Sequence, residues 1–491
     1  MTTLGRVRRA KIVCTLGPAT DSEETMAKLI HGGMSVARLN LSHGTMADHQ
    51  ARLELVRRSA RDAGVGVAVL ADLQGPKIRL GTFANQQVDL VQGQRFTITT
   101  RDVPGDAEIC STTYANLTDD VAVGDEVLID DGNVTLRAVE VGETDVVCEV
   151  LVGGRVSNNK GINLPGVVVS VPALSEKDVD DLRWALKADV DIVALSFVQR
   201  PEDIDAVRRI MDEQGVHRPI LAKIEKPQAV DHLSAIIETF DGIMVARGDL
   251  GVELPLEQVP LVQKRAIQLS RAAAKPVIVA TQMLDSMVTS SRPTRAEASD
   301  VANAVLDGTD ALMLSGETSV GDHPDLVVRT MARIIEYVEE KALGTVSESA
   351  DNRTGSTARA ITRAATEVAD EVDAKFIISF TETGLTPRLV ARHRSRIPIL
   401  CFTPNAHVRN YLALVWGITP FDGKKVHHTD ELVEHVDLRI SQMSLAAPGD
   451  KVVVIAGVPP GVPGTTNGMR VHLVGSGSAG RAEEAEVAAQ V

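Results

Sequence analysis

The sequence is short of several residue types, and each shortage excludes a class of protein. Its 491 residues include four cysteines, Cys14, Cys110, Cys148 and Cys401, which lie far apart with no paired spacing. That pattern is typical of reduced thiols rather than of disulfides or a zinc site. Aromatic residues make up only 3% of the chain, so we expect cores built from aliphatic side chains.

Long apolar runs and excess positive charge are also missing. No stretch approaches the ~18 apolar residues of a membrane span, and the basic N-terminus lacks the apolar run of a signal peptide. The formal net charge of −15 argues against nucleic acid or an anionic membrane as a partner. No Gly-x4-Gly-Lys-Ser/Thr sequence occurs, so any nucleotide is bound in another way. We therefore expect a cytoplasmic protein.

What the chain does contain is a regular alternation of short apolar runs with amphipathic sequence of helical length. Eight such runs cover residues 11–17, 35–44, 67–75, 191–198, 220–225, 243–249, 277–283 and 311–317. Alternation of strand and helix predicts an α/β fold with a parallel sheet, and eight units favour a closed (β/α)₈ barrel, the TIM barrel, over a doubly wound sheet. In such barrels the carboxyl ends of the strands carry the active site.

Two further regions interrupt or follow the barrel pattern. Between residues 76 and 170, Gly, Asp, Val and Thr dominate and helical periodicity vanishes, which predicts an inserted all-β domain, of β-barrel type, that could act as a lid. A polar stretch after residue 345 precedes a second α/β pattern. The predicted domains are a barrel (1–75 and 171–345), a lid (76–170), a C-terminal α/β domain (346–475) and a tail (476–491).

Charged residues follow the fifth and sixth runs. Lys223 and Glu225 are two apart, so on a strand they point to the same face. Asp249 follows Gly248 at the end of the next run, where free backbone N–H groups open a helix. Two carboxylates and a lysine at neighbouring strand ends could hold a divalent metal and an anion together. The alternative for Lys223 and Glu225 is a structural ion pair.

Polar residues also end the second and third runs. Arg38, Asn40 and Ser42 alternate with leucines and so share one face, and Asp72 ends the neighbouring run. Their oxygens would suit a hard cation, whereas the alternative is a solvated edge strand. In the C-terminal domain, residues 381–386 place hydroxyls and a glycine before a helix, which fits either a phosphate cradle or an ordinary capped turn.

At this point the sequence resembles the pyruvate kinase family. The motifs that carry the resemblance are Arg-Leu-Asn-Leu-Ser-His-Gly (38–44), Lys-Gly-Ile-Asn-Leu-Pro-Gly (160–166), Leu-Ala-Lys-Ile-Glu (221–225), Met-Val-Ala-Arg-Gly-Asp-Leu-Gly (244–251), Ala-Thr-Gln-Met-Leu (280–284) and Leu-Ser-Gly-Glu-Thr (314–318). They occur in the family's order through nearly the whole chain. The resemblance implies phosphoryl transfer from phosphoenolpyruvate to ADP, giving pyruvate and ATP.

The resemblance also implies roles for individual residues. Glu225 and Asp249 would bind Mg²⁺ or Mn²⁺, backbone amides around Gly248 and Thr281 would hold the substrate carboxylate, and Lys223 and Arg38 would face the phosphoryl group. Thr281 would lie near the enolate carbon that is protonated. The residues that match nucleotide or phosphate contacts are Asn40, Ser42, His43, Arg79 and Lys160, the last of them from the lid.

One position departs from the family's better-known pattern. Members that require K⁺ carry Glu after Gly-Pro, whereas this chain has Lys77. The monovalent-cation site of Asn40, Ser42, Asp72 and Leu73 would then hold a tethered ammonium, and a K⁺ ion beside it would add a like charge at a cost of several kcal/mol. We therefore predict activity that does not require K⁺.

The family's effector loop matches Thr381, Thr383, Gly384 and Thr386, which predicts regulation by a phosphorylated small molecule, either a sugar phosphate or a nucleoside monophosphate. A homotetramer is implied by the family alone. Two rival functions remain open: a metal-dependent lyase or aldolase that makes pyruvate enolate on a similar barrel, and a non-catalytic sugar-phosphate sensor. The lyase would need neither an ADP site nor a lid lysine.

Overall fold

A computed structural model describes residues 8–346, 355–424, 428–458 and 464–476. The polar stretch after residue 346 and the predicted tail lie largely outside the described residues. The chain forms a closed barrel, an all-β insertion and a C-terminal α/β domain, which confirms the predicted fold class. No helix within the described ranges is long and apolar enough to cross a membrane.

The barrel begins with three parallel strands and two helices. They are β1 (Lys11–Thr15), α1 (Glu23–Gly32), β2 (Met34–Asn40), α2 (Met46–Ala63) and β3 (Ala68–Asp72). Thr45 starts α2 with a capping box, in which its hydroxyl accepts from the Asp48 N–H and the Asp48 carboxylate accepts from the Thr45 N–H. Gly64 ends the helix in a left-handed conformation that glycine adopts at little cost.

The insertion follows β3 and has its own hydrophobic core. Its elements are β4 (Gln87–Leu90), β5 (Arg95–Thr99), β6 (Ile109–Ser111), α3 (Leu117–Asp120), β7 (Glu126–Ile129), β8 (Val134–Val141), β9 (Asp145–Val152), β10 (Gly154–Ser157) and β11 (Ile162–Asn163). Six strands form one sheet in the order β11-β7-β8-β9-β5-β6, and β4 pairs with β10. The β8 and β9 strands alternate buried with more exposed residues, as expected for a sheet with one face on a core.

Five more strands complete the barrel. The elements are α4 (Glu176–Lys187), β12 (Ile192–Leu195), α5 (Ile204–Gln214), β13 (Ile220–Ile224), α6 (Pro227–Asp231), α7 (Leu233–Thr239), β14 (Gly242–Ala246), α8 (Arg247–Glu253), α9 (Val259–Ala273), β15 (Val277–Ala280), α10 (Arg295–Asp307), β16 (Ala311–Leu314), α11 (Gly316–Ser319) and α12 (Pro324–Ala342). The strands close in the order β1-β16-β15-β14-β13-β12-β3-β2. All eight predicted strands exist, but each ends before its run does, because the last residues of each run leave the sheet as loops or, at α8 and α11, as the first turn of a helix.

The C-terminal domain is a five-stranded sheet with helices. Its elements are α13 (Thr357–Glu371), β17 (Phe376–Phe380), α14 (Leu385–Ala391), β18 (Ile399–Thr403), α15 (Ala406–Leu412), β19 (Ile418–Asp422), α16 (Thr429–Gln442), β20 (Lys451–Gly457) and β21 (Thr466–Leu473). The order is β19-β18-β17-β20-β21, and only the β20–β21 pairing is antiparallel. The apolar runs at 376–380, 397–402, 452–456 and 471–474 predict four of these strands, whereas β19, which contains Pro420, was not predicted.

The last residues of α15 and the segment after it close the amino end of the barrel. Tyr411 and Leu414 are buried in one cluster with the inward-facing residues of the barrel strands. The Tyr411 hydroxyl donates to the Asp241 carbonyl at 2.7 Å, and the Asn410 amide donates to the Asp191 carboxylate at 2.8 Å. Both aspartates directly precede barrel strands, so the C-terminal domain occupies this end and leaves the carboxyl ends of the strands for chemistry.

Candidate active site

A half-buried lysine, Lys223, lies at the carboxyl end of the barrel, after most of β13. The Lys223 Nζ is 2.8 Å from Glu225 Oε1, 3.4 Å from Asp72 Oδ1 and 2.7 Å from Ser196 Oγ, to which it donates a hydrogen bond. Burial acts to lower the pKa of Lys223, but Asp72 and Glu225 outweigh it and raise the pKa above its ordinary value. The ammonium is therefore charged at any physiological pH.

Arg38 lies beside this lysine and is held by the same aspartate. Its Nε and one terminal nitrogen are each 2.7 Å from Asp72 Oδ2, and its other terminal nitrogen donates to Thr15 Oγ1 at 3.0 Å. The Asp72 carboxylate is almost fully buried. Burial acts to raise the pKa of Asp72, but Lys223 and Arg38 outweigh it and keep the pKa below its ordinary value. Asp72 therefore holds Lys223 and Arg38 side by side at the carboxyl end of the barrel.

The ends of β14 and β15 meet in a turn near these cations. The Gly248 N–H donates to Thr281 Oγ1 at 2.7 Å, so the two residues predicted to bind a carboxylate touch. Thr281 and Gln282 both have positive φ, of 70° and 53°, in which non-glycine residues are strained. Arg247 stabilises this turn, because its guanidinium donates a hydrogen bond to the Thr281 carbonyl at 2.7 Å.

Two carboxylates are available for a divalent cation. Glu225 Oε2 accepts from the Phe197 N–H at 2.7 Å, and burial raises the pKa of Glu225, with nearby Asp249 adding to the effect and Lys223 opposing it. Asp249 is half-buried in the first turn of α8. No group of three or more Asp, Glu, His or Cys side chains within the described ranges forms a metal cage. Two carboxylates fit Mg²⁺, which usually keeps waters and takes further ligands from substrate phosphates.

The predicted nucleotide-binding residues are divided between the barrel and the lid. Asn40, Ser42 and His43 adjoin one another after β2, where Asn40 Oδ1 accepts from the Ser42 N–H at 3.3 Å and its Nδ2 is 3.3 Å from His43 Nδ1. Arg79 donates to a lid carbonyl, and the Lys160 ammonium is 2.7 Å from Asp130 of the lid. The lid residues therefore have partners within the lid.

Lys77 does not reach the oxygens predicted to surround it. Within the described residues its ammonium makes no hydrogen bond or ion pair, and the side chain lies against Gly161 in a cleft between lid and barrel. The Asp72 carboxylate faces Arg38 and Lys223 instead, and the Leu73 carbonyl accepts from Ser196 Oγ at 2.6 Å. Occupation of the monovalent site by Lys77 stays a prediction.

The predicted effector loop lies far along the chain, at the end of β17. The Gly384 N–H donates to Thr381 Oγ1 at 2.9 Å, and Thr386 Oγ1 is 2.6 Å from Thr466 Oγ1. Thr381, Thr386 and Lys424 line a cavity of about 550 Å³ including its open mouth. Thr383 is exposed at the tip of the loop.

Sequence reasoning missed two features of the site. The first is the residue pair Ser196 and Phe197. Ser196 Oγ accepts a hydrogen bond from the Lys223 ammonium, and Phe197, whose φ is 55°, donates its N–H to the Glu225 carboxylate. Both follow β12, whose run was recognised, so position after a barrel strand was the available signal. The second feature is the contact of Glu253 with Lys226 at 2.5 Å and with Asn163 of the lid at 2.9 Å, which joins lid to barrel and has no local signature.

A closed (β/α)₈ barrel with cations and carboxylates at its strand ends is typical of an enzyme that acts on an anionic substrate. The family model for the pyruvate kinase barrel domain matches residues 7–328, and that for the pyruvate kinase alpha/beta domain matches residues 359–472. The chain belongs to the pyruvate kinase family.

Individual relatives agree. The pyruvate kinase of Corynebacterium glutamicum is 54% identical over 95% of this chain and 98% of its own length. That of Mycobacterium tuberculosis is 52% identical over 95% and 99%. A crystal structure of a pyruvate kinase from Cryptosporidium parvum has a TM-score of 0.89 and 37% identity, covering 95% of this chain and 96% of that chain. The reaction is therefore phosphoryl transfer from phosphoenolpyruvate to ADP, giving pyruvate and ATP, rather than a lyase or aldolase reaction.

Proposed function

We propose that the strand ends of the barrel divide this phosphoryl transfer among five side chains. The observation that carries the proposal is the position of the Lys223 ammonium, which is held by Glu225, Asp72 and Ser196 and lies beside Arg38. Lys223 and Arg38 both contact Asp72 at this end of the barrel. Both would face the phosphoryl group of phosphoenolpyruvate.

The phosphoryl group would move in line from the enol oxygen to the terminal phosphate oxygen of ADP. Lys223 and Arg38 would offset the negative charge on its equatorial oxygens during this transfer. The oxygen–phosphorus bond of phosphoenolpyruvate breaks and a new bond to ADP forms. Lys223 would remain beside the enol oxygen and stabilise the enolate. Backbone N–H groups of the turn at Gly248 and Thr281 would hold the substrate carboxylate, and Thr281 would lie close to the carbon that takes a proton from water.

Glu225 and Asp249 would hold the divalent cation, Mg²⁺ or Mn²⁺. When bound, that ion supplies a Lewis acid that offsets the negative charge of the substrate. The nucleotide would be bound by Asn40, Ser42 and His43 from the barrel and by Arg79 and Lys160 from the lid. Lys160 would exchange its ion pair with Asp130 for a phosphate contact as the lid closes.

Three further assignments belong to the same proposal. Lys77 would replace K⁺ at the site of Asn40, Ser42, Asp72 and Leu73, a step that requires its side chain to leave the cleft beside Gly161. The loop of Thr381, Thr383, Gly384 and Thr386 would bind a phosphorylated effector, a sugar phosphate or a nucleoside monophosphate. The protein would act as a cytoplasmic homotetramer. Its domains would be 1–75 with 171–345, 76–170 and 346–475.

The residue roles can be tested with full-length protein in a pyruvate assay. Release of pyruvate that depends on ADP, on a divalent cation and on Lys223 would support the assignment. Pyruvate formation by Lys223→Met at the wild-type rate would refute it. Replacing K⁺ with a bulky organic cation tests the monovalent site, because a strong loss of turnover would contradict the role of Lys77.

A further inference from the structure

A basic cleft separates the amino end of the barrel from the C-terminal domain, far from the site described above. The charged residues that line it are Arg271, Lys275, Asp310, Arg388, Arg392 and Arg394. Arg271 and Lys275 come from the barrel, and the three other arginines from α14 and the segment after it. Asp310 is the one carboxylate among the described residues of this lining, so the cleft has a large excess of positive charge.

Arg271 is buried without adequate partners. It is 3% exposed, and its one hydrogen bond among the described residues is a long one, 3.3 Å, to the Arg392 carbonyl. Its Nε has no hydrogen-bond partner in the described part of the chain. Arg394 is also buried and has an unpaired Nε, although its terminal nitrogens donate to the Ala391 and Gly308 carbonyls at 2.7 Å each. Unpaired donors of this kind are costly to bury.

Asp310 is one carboxylate shared between two buried arginines, so it offsets only part of their charge. Its carboxylate already accepts from the Trp416 N–H at 3.0 Å and the Val277 N–H at 3.2 Å, and it lies 3.3 Å from Arg394. Burial and then repulsion by Arg394 lower the pKa of Arg271 to about 9. A guanidinium nevertheless keeps its proton at neutral pH, so the charge persists and calls for a counter-ion.

We propose that this cleft binds a phosphate-type oxyanion, either inorganic phosphate or the phosphate of a phosphomonoester, against Arg271 and the Arg388–Arg394 segment. The planar guanidinium fork matches such oxyanions with two parallel hydrogen bonds.

The bound anion would join the two domains. Arg388 already spans them, because it donates to the Ala274 carbonyl of the barrel and, from Nε, to the Gly384 carbonyl, each at 3.2 Å. Gly384 belongs to the loop before α14, and Ala274 lies just before β15, which leads to Thr281. An anion here would therefore stiffen a direct connection between the C-terminal loop and the catalytic barrel.

The test compares melting temperatures of the full-length protein in phosphate-free buffer, with inorganic phosphate and with glycerol phosphate. Arg271→Met removes the site, and Arg265→Met is the matched control, since Arg265 is exposed on the same helix. We expect Arg271→Met to lose at least half of the phosphate-induced shift and to melt no lower than wild type without phosphate. Arg265→Met should keep the full shift. A shift with only one of the two compounds identifies the source of the anion.

Equal phosphate shifts in the two variants would overturn the proposal, as would a large destabilisation of Arg271→Met without phosphate combined with an unchanged shift. If Arg271→Met does not fold, crystals of the wild type soaked in selenate decide the matter. An anomalous peak beside Arg271 supports the site, and a cleft without one contradicts it. Arg271→Lys keeps the positive charge but loses the two parallel hydrogen bonds of the guanidinium, so crystals of this variant should show a weaker anomalous peak.

Discussion

Replacing Asp72 by Asn tests whether this residue orients the cations of the active site. The change keeps the shape of the side chain but removes the charge that contacts Arg38 at 2.7 Å and Lys223 at 3.4 Å. Breaking a buried ion pair by removing one partner costs about 3–5 kcal/mol, because the other charges stay buried without compensation. For a domain of this size each kcal/mol lowers the melting temperature by about 2–4 °C, so we expect a fall of about 6–20 °C.

The pH dependence of this loss follows from the pKa shifts. The pKa of Asp72 lies below its ordinary value of 3.8 in the folded protein, so its contribution to stability is present above pH 3.8 and is lost as pH falls further. The pKa of Lys223 lies above its ordinary value of 10.5, so its contribution is present below pH 10.5. The difference in stability between wild type and Asp72→Asn should therefore be constant from about pH 5 to 9.

Asp72→Asn should also change two kinetic quantities, kcat and the alkaline limb of the pH–rate profile. Misplacement of a reacting group by about 1 Å costs about 10²-fold, so we expect kcat to fall by about that factor in an assay coupled to lactate dehydrogenase. Because Asp72 is the largest influence that raises the pKa of Lys223, the alkaline limb of the pH–rate profile should move to lower pH.

The matched control is Asp89→Asn, which breaks the exposed ion pair between Asp89 and Arg155, whose charged atoms are 3.0 Å apart. This change should lower stability by at most about 1 kcal/mol. The reasoning fails if Asp72→Asn melts at the same temperature as Asp89→Asn. It also fails if the alkaline limb of Asp72→Asn coincides with that of wild type.

Four other changes have distinct expected outcomes. Lys223→Met should lower kcat by at least about 10²–10³-fold with a smaller effect on KM, because it removes a cation that acts on developing charge; single-turnover kinetics would measure this. Glu225→Gln should raise the Mn²⁺ concentration for half-saturation by more than about 10-fold, read by electron paramagnetic resonance. Lys77→Glu should create a K⁺ requirement, and K⁺-independent turnover by that variant would contradict the assignment. Tyr411→Phe should lower stability by about 0.5–1.5 kcal/mol, because it removes the hydrogen bond to the Asp241 carbonyl, with kcat unchanged.

Much of the fold could be predicted because burial on both faces leaves a clear pattern. The barrel strands are continuous apolar runs, and all eight were found. In the lid, residues 95–100, 126–129, 134–141 and 146–151 predict strands, and each matches one, β5, β7, β8 and β9. The strand Gln87–Leu90 was missed because it is mostly exposed and its composition resembles a loop. β19 was missed because Pro420, in the middle of the segment, argues against a strand.

The site was predictable only where its contacts are local. The spacing of Lys223 and Glu225 predicted that they share a face, and they are 2.8 Å apart, so the ion pair weighed as the alternative is present within the same cluster. The pairing of Arg38 with Asp72 joins neighbouring strands, and the sequence suggested only their proximity. The position of Lys77 depends on how the lid lies over the barrel, and no spacing along the chain encodes that.

The amino end of the barrel shows why an aspartate before a strand has no single meaning. Asp191, Asp241 and Asp310 directly precede β12, β14 and β16, and each belongs to a contact with residues 410–416 of the C-terminal domain. These carboxylates and carbonyls need donors because they are buried, and the donors come from more than a hundred residues away. The C-terminal domain therefore closes the amino end of the barrel and also carries the predicted effector loop before α14. A ligand that shifts this domain must also disturb the closed end of the barrel, whose strands carry Lys223 and Thr281 at their other end.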